Sequence, residues 1–295
     1  MKARHLLIAI AALATQAFAG EPTIVAPALD GTLPCKKTPM LTAKRLSGSL
    51  TAGYATNYTC RGLVASHALA EGDSTEHVAV DLIYDIGRQG FFTIENHTAY
   101  TVLSSGHHLL GARETNIENE LVVETSLRYT RKLWFASVGH QFTHGGLLGA
   151  QVKHVKGESS STLNELFITA GLTPLSWLEL GVKASYSFDG MEGWWFEPYI
   201  KGSWTLVGNC EQPKLEGVVM AGMTATAGSF AEGGDISSDG VQSWWVAVAL
   251  PWHVTENLVL TPILSLNWLG SGAQNTGNLY RNHGIVGSVN ATYAF

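Results

Sequence analysis

Glu179 and Lys183 stand four residues apart in the run 177–188, and Glu197 and Lys201 repeat that spacing in the run 194–207. On a strand, residues at even separations share a face. Each run therefore presents an acid and a base on one side. Two chemistries fit this pattern. Opposite charges on neighbouring strands can neutralise one another as a ladder of pairs. An excess of acid can instead line a polar surface that concentrates cations and repels anions, as charge rings do in channels. The same parity count places Asp81, Glu95, Glu120, Glu124 and Glu165 on the corresponding faces of their own runs, together with Arg128, His77 and His97. Acids outnumber fixed bases there, and both readings stay open.

Other reactive side chains offer less. His140 and His144 resemble a metal pair, but four residues of strand separate them by about 13 Å. That is too far for one ion unless the chain bends at Gly145-Gly146. His107-His108 falls in a polar loop. No metal centre and no cofactor are expected. A lipid-facing hydrolase needs a His-x-Ser on one strand face, whereas His140-Gln141-Phe142 lacks the nucleophile. Neither GxSxG nor HExxH occurs. Glu120 and Glu124 share a face without a visible groove. An enzyme is not expected. Cys35, Cys60 and Cys210 are the three cysteines. Cys35–Cys210 is the pair compatible with both lying on one side of a membrane, and three free thiols is the equal alternative.

The elements that must hold these residues are strands. Twelve candidates cover roughly 46–58, 77–86, 91–102, 117–130, 133–142, 163–172, 177–188, 194–207, 217–227, 242–253, 258–268 and 284–295. Ten or fourteen are the near alternatives. The seventh shows the alternation: Leu178, Leu180, Val182, Ala184, Tyr186 and Phe188 on one side, and Glu179, Gly181, Lys183, Ser185 and Ser187 on the other. Short connections such as Arg131-Lys132 and 173–176 alternate with mostly longer, polar ones such as 143–162 and 228–241. The chain has 295 residues, net charge −6, 45% hydrophobic residues and only 14% charged ones. Low charge without long apolar runs suits a barrel whose outside meets lipid. The mild acidity gives no reason to expect nucleic-acid binding.

A soluble β-sandwich also alternates, so the aromatics decide. One set, Tyr84, Tyr129, Trp134, Trp177, Trp204, Trp252, Tyr293 and Phe295, falls at one end of the runs. A second set, Tyr58, Tyr100, Phe142, Phe188, Trp194, Trp244 and Trp268, falls at the other. Two aromatic girdles around an aliphatic belt are what membrane interfaces select. The fold expected is an all-β, transmembrane, antiparallel up-and-down barrel of about twelve strands, with both termini periplasmic. Residues 1–19 read as a cleaved signal peptide, with Lys2 and Arg4, an apolar core and Ala17-Phe18-Ala19. Residues 20–45 carry four prolines and no period. They read as an irregular segment at the periplasmic rim, in the lumen, or as a disordered spacer. Residues 46–295 form the barrel.

The last run, GIVGSVNATYAF, resembles the closing strand of bacterial outer-membrane barrels of the porin-like type. That likeness implies a Gram-negative outer membrane, contact with its lipids and lipopolysaccharide, and presentation of Phe295 to the barrel-assembly machinery. The segment GYATNYTCRG, 53–62, resembles the first strand of the Gcw_chp group, whose function is unknown, with Cys60 where that group has an aromatic. The function expected is passive diffusion of small hydrophilic solutes, with cations or neutral molecules favoured over anions. The alternative is a non-conducting structural or adhesive barrel acting through its outer loops, and less so a lipid-facing hydrolase. Oligomeric state and solute are left open.

Overall fold

The computed structural model describes residues 46–57, 59–61, 63–64, 74–86, 91–103, 108–110, 113–115, 119–146, 162–189, 192–209, 212–228, 239–272 and 282–295. The signal peptide, the 20–45 segment, Tyr58 and the Cys35–Cys210 pair lie outside the described residues.

Twelve strands build one sheet. They are β1 (Leu46–Ala55), β2 (Thr75–Asp85), β3 (Phe92–Leu103), β4 (Glu120–Arg131), β5 (Trp134–His144), β6 (Thr162–Leu175), β7 (Leu178–Asp189), β8 (Gly193–Gly208), β9 (Pro213–Ala227), β10 (Gly240–Ala249, resuming at Trp252–His253), β11 (Leu258–Leu269) and β12 (His283–Ala294). Each pairs antiparallel with the next, and β12 returns to β1 in register from Ser49↔Ala294 to Ala55↔Ser288. The sheet is closed, although the β1–β2 ladder runs only from Leu46↔Tyr84 to Gly48↔Leu82. Pro251, which has no N–H, marks the break in β10. The backbone ladder still runs past it, through Leu250 N–H to the Pro262 carbonyl and Glu216 N–H to the Pro251 carbonyl. Phe295 extends the seam: it exchanges both backbone hydrogen bonds with Gly48.

The strand number is the one read from the sequence. Boundaries shift by up to four residues, and two of the shifts have a visible cause. β1 ends at Ala55 rather than Tyr58, because Thr56 caps the seam against Gly287 by two hydrogen bonds, of 2.8 and 3.0 Å. β9 begins at Pro213, four residues earlier than 217, because Leu215 finds a partner in Trp252. At one end the strands are joined by tight turns at Lys132-Leu133, Ser176-Trp177 and 254–257, and between β8 and β9 Gln212 N–H donates to the Asn209 carbonyl. At the other, most connections are longer. The first is the turn end of the barrel and the second its loop end.

Alternation turns each strand inside out. Along β7, Leu180, Val182 and Phe188 are exposed, while Lys183, Ser185 and Ser187 are buried. Along β6, Leu166, Ile168 and Leu172 are exposed and Leu163, Glu165 and Phe167 are buried. Ile168 and Ile285, at 61% and 65% exposed, are the kind of side chain a water-soluble core would claim first. Rings cluster near the two ends of the outer face. At the turn end Phe92, Tyr129 and Trp134 meet at centroid distances of 4.6 and 5.2 Å, and Trp177 stacks on Trp204 at 5.8 Å. At the loop end Trp194 meets Tyr186 at 5.1 Å and Phe196 at 6.1 Å. Tyr84, Tyr100, Phe188, Trp244, Trp252, Trp268, Tyr293 and Phe295 are also exposed, and Phe142 is half-buried.

Inside, glycines make room for rings. The Phe167 ring of β6 lies over Gly139 of β5, and the Phe135 ring of β5 lies over Gly171 of β6. A Cβ at Gly139 would enter the space of both the Phe167 ring and the Thr125 carbonyl, and the carbonyl is backbone that cannot move aside. Gly139→Ala is therefore expected to cost about 1–3 kcal/mol through overpacking. The check is the temperature at which the folded, heat-modifiable band is lost in gel electrophoresis, compared with Ala136→Gly on the same strand as a control that only removes a methyl.

Candidate functional site

The inner wall carries the charge. Among the described residues, Asp81, Asp85, Glu95, Glu120, Glu124, Glu165, Glu179, Glu197 and Glu216 lie on it, against the fixed cations Arg61, Arg128, Lys183 and Lys201: nine acids and four bases. They are not spread evenly. Apart from Arg61, which comes from the first loop, and Glu216 with its partner His253, paired at 2.9 Å near the turn end, all these charged residues sit on β2 to β8. The inward positions of β10, β11, β12 and β1 read Ser243, Trp245, Ala247, Val259, Ser265, Asn267, Val286, Asn290, Thr51 and Ser49, without a fixed charge. One arc of the wall is ionic. The facing arc is neutral, with a small apolar cluster of Met220, Trp245 and Ala247 against Tyr199, Val218 and Ile263.

The ionic arc is built in layers. Phe167, seated on Gly139, carries the Lys183 ammonium 4.3 Å from its ring centroid. Phe135, seated on Gly171, carries the Arg128 guanidinium at 4.0 Å. Ring faces attract cations, by about 2 kcal/mol when desolvated. The glycines bring each ring flat against the wall so that the cation can lie on top. Lys183 then donates to Glu124 Oε2 at 2.6 Å and to Gln141 Oε1 at 3.0 Å. Arg128 reaches Glu95 at 3.8 Å. Below Lys183, Tyr199 donates to Glu179 Oε1 at 2.7 Å. Towards β1, His97 and Ser49 both bond Asp81, at 2.6 and 2.9 Å.

The register puts Glu179 opposite Lys201 and Lys183 opposite Glu197, as a neutralising ladder requires. The ion pairs differ from that ladder. Lys183 of β7 passes over β6 and β5 to reach Glu124 on β4, because a concave wall brings inward side chains of non-adjacent strands together. Glu197 is met by a residue from outside the strands, Arg61.

Arg61 is the main feature that strand periodicity does not reveal. Beyond Thr56 the chain folds inward as a small hairpin, Thr59–Cys60 paired with Leu63–Val64. Arg61 sits at its turn with φ of 50°, a left-handed conformation unusual for a residue with a Cβ. Its carbonyl accepts from Thr224 Oγ1 at 3.0 Å on β9 and Ser243 Oγ at 2.8 Å on β10. Its guanidinium lies 4.2 Å from the Trp195 ring, pairs with Glu165 on β6, and reaches Glu197 on β8 at 3.7 Å. Ser187 donates to Glu165 at 2.9 Å, and Trp195 Nε1 donates to Ser187 at 3.2 Å. Arg61, Glu165, Trp195 and Glu197 are all at most 2% exposed. The first loop thus leaves β1 and delivers a cation to the far side of the barrel.

The other sequence candidates lie apart from this. His140 is exposed on the outer face, where it bonds Asn164 at 3.2 Å, and Asn164 bonds Asp189 at 3.1 Å. Phe142 stands where a hydrolase would place its hydroxyl. Among the described residues no group of three or more His, Cys, Asp or Glu could hold a metal ion. No helix among them is long and apolar enough to cross a membrane.

No family model matches the chain, and the likeness of 53–62 to the Gcw_chp group gains no support there. No curated protein matches it either. Solved structures do. The chain is similar to an outer membrane channel from Pseudomonas putida F1, at 12% identity and a TM-score of 0.52, over 85% of this chain and 95% of that one. It is also similar to the NanC porin, at 10% identity and a TM-score of 0.47 over 83% and 98%, and to the KdgM porin, at 9% and 0.46 over 84% and 99%. At these identities the likeness concerns the fold: a closed antiparallel barrel of the outer-membrane type.

Proposed function

We propose that this chain is a porin-like channel of the bacterial outer membrane, passing small hydrophilic solutes and favouring cations or neutral molecules over anions. One observation carries the reading: a closed sheet with exposed aliphatic side chains and buried acids, the inverse of a soluble fold. Lipid accepts the outside, because a closed barrel pairs its backbone groups between neighbouring strands. An ionic wall is then tolerable only if it meets water or its own counter-charges. The acidic excess on the wall favours cations. In the same reading the turn end faces the periplasm and carries both ends of the barrel, the aromatic residues sit at the two headgroup levels, and the C-terminal strand with Phe295 engages the assembly machinery. The likeness in fold to an outer membrane channel supports the location.

A second reading has its own observation. Arg61, Lys183 and Arg128 pair with wall acids, and the first loop folds inward. A wall so neutralised also suits a non-conducting structural barrel. Planar bilayers separate the two. The channel predicts discrete conductance steps and, in a KCl gradient, a reversal potential displaced towards that of potassium. Absence of steps, or displacement towards chloride, overturns it.

A further inference from the structure

Trp195, Glu165, Glu197 and Ser187 surround the Arg61 guanidinium on the inner wall. The set is what guanidinium recognition requires: an aromatic face to stack on and carboxylates in the plane of its N–H donors. It also holds more acceptors than Arg61 uses. Glu197 Oε1 is buried with no hydrogen-bond partner, and so is Ser185 Oγ, on the residue opposite Trp195 in the β7–β8 register. These are buried acceptors aimed into the same side of the wall, with no donor from the wall assigned to them. Arg61 itself comes from a loop, while every other member stands on a strand. The cradle thus stands on the sheet, and its occupant is carried by a hairpin turn between strands.

We propose that this cradle is a recognition subsite for guanidinium-bearing solutes, which Arg61 fills as an internal ligand. The inference deepens the channel reading and rests on it for its biological meaning. A solute carrying a guanidinium competes for Glu165, Glu197 and the Trp195 face, and its arrival turns the Arg61 side chain away from that side of the wall. Arg61 keeps its carbonyl on Thr224 and Ser243, so what is displaced is the side chain. Competition of this kind weakens apparent affinity by the fraction of molecules in which the cradle is empty.

The test is calorimetric titration of methylguanidinium chloride into the purified full-length protein in detergent. With Arg61→Ala the cradle is vacated, and methylguanidinium is expected to bind about ten- to a hundredfold more tightly than to the unaltered protein, the factor set by a minor open state of a few per cent. Adding Glu165→Gln and Glu197→Gln to Arg61→Ala is expected to abolish that gain. Methylammonium, which cannot donate from a plane, is expected to bind the Arg61→Ala protein more weakly than methylguanidinium. Equal affinity of the unaltered and Arg61→Ala proteins, or binding undiminished in the triple variant, overturns the subsite. If Arg61→Ala does not fold, Arg61→Gln takes its place with the same expectations. The titration needs no current, so a barrel that fails to conduct would sink the channel reading and leave this result interpretable.

Discussion

Lys183→Met is expected to cost about 3–5 kcal/mol of barrel stability, the range for removing one partner of a buried ion pair. Lys183 is 4% exposed and its ammonium is the donor to both Glu124 Oε2 and Gln141 Oε1. Glu197 lies opposite it in the register. Methionine keeps the length of the stem and its contact with Phe167, so the loss isolates the charge. Glu124 would then be a buried carboxylate without its cation. The double variant Lys183→Met/Glu124→Gln is expected to recover much of the loss, since removing both charges removes the desolvation problem along with the attraction. Urea unfolding in lipid vesicles, followed by tryptophan fluorescence, gives the cycle. A single variant as stable as the parent would mean that water already solvates Glu124, and the ionic arc would then be a wet surface and not a set of fixed pairs. The same variant carries one fewer positive charge on the wall, so if it conducts, its preference for potassium is expected to rise.

The strands and their two faces were legible because each is a repeat of period two, and closure followed from an alternation of short and long connections. Register was partly legible: equal spacing in Glu179/Lys183 and Glu197/Lys201 leads to the observed opposition in β7 and β8. What lay beyond reach was anything set by curvature. Lys183 meets Glu124 three strands away because the wall is concave, and a strand-by-strand reading has no term for that. The ring-on-glycine layers were hidden for a related reason. Gly139 and Gly171 look like ordinary strand glycines until the register places Phe167 and Phe135 above them.

Arg61 was hidden differently. A loop has no period, so parity assigns it no face. Two local signals were present. One is an Arg-Gly step in the segment that follows the first strand, where an inward turn with positive φ is formed. The other is the tryptophan doublets. In Trp194-Trp195 and Trp244-Trp245, one ring must face outward and the other inward if the strand is regular. Trp194 and Trp244 are exposed, whereas Trp195 and Trp245 are at most 1% exposed. A large ring forced to the polar side of a barrel needs something to stack on, and for Trp195 that is Arg61.

Ile168→Arg is expected to destabilise the barrel in a bilayer by about 2–4 kcal/mol, the cost of arginine on the lipid face at midplane depth. Ile168 is 61% exposed in the middle of β6, between Val138 of β5 and Ala184 of β7. If water surrounded that face, an exposed isoleucine could become arginine within about 0.5 kcal/mol. The sign and size of this one substitution therefore report which solvent the outside meets. Leu175→Arg, on the same strand at the turn end and 49% exposed, is the depth control. There the cost is expected to fall to about 0–1 kcal/mol, because the charge reaches the headgroups. Both are read from unfolding midpoints in phosphatidylcholine vesicles at equal protein-to-lipid ratio. A gradient from Ile168 to Leu175 places the aliphatic belt in hydrocarbon. Costs that are equal at the two positions, or negligible at both, would put this face in water. The ionic wall would then have to be explained as the interior of a soluble protein, where buried acids in excess of bases have no source of compensation.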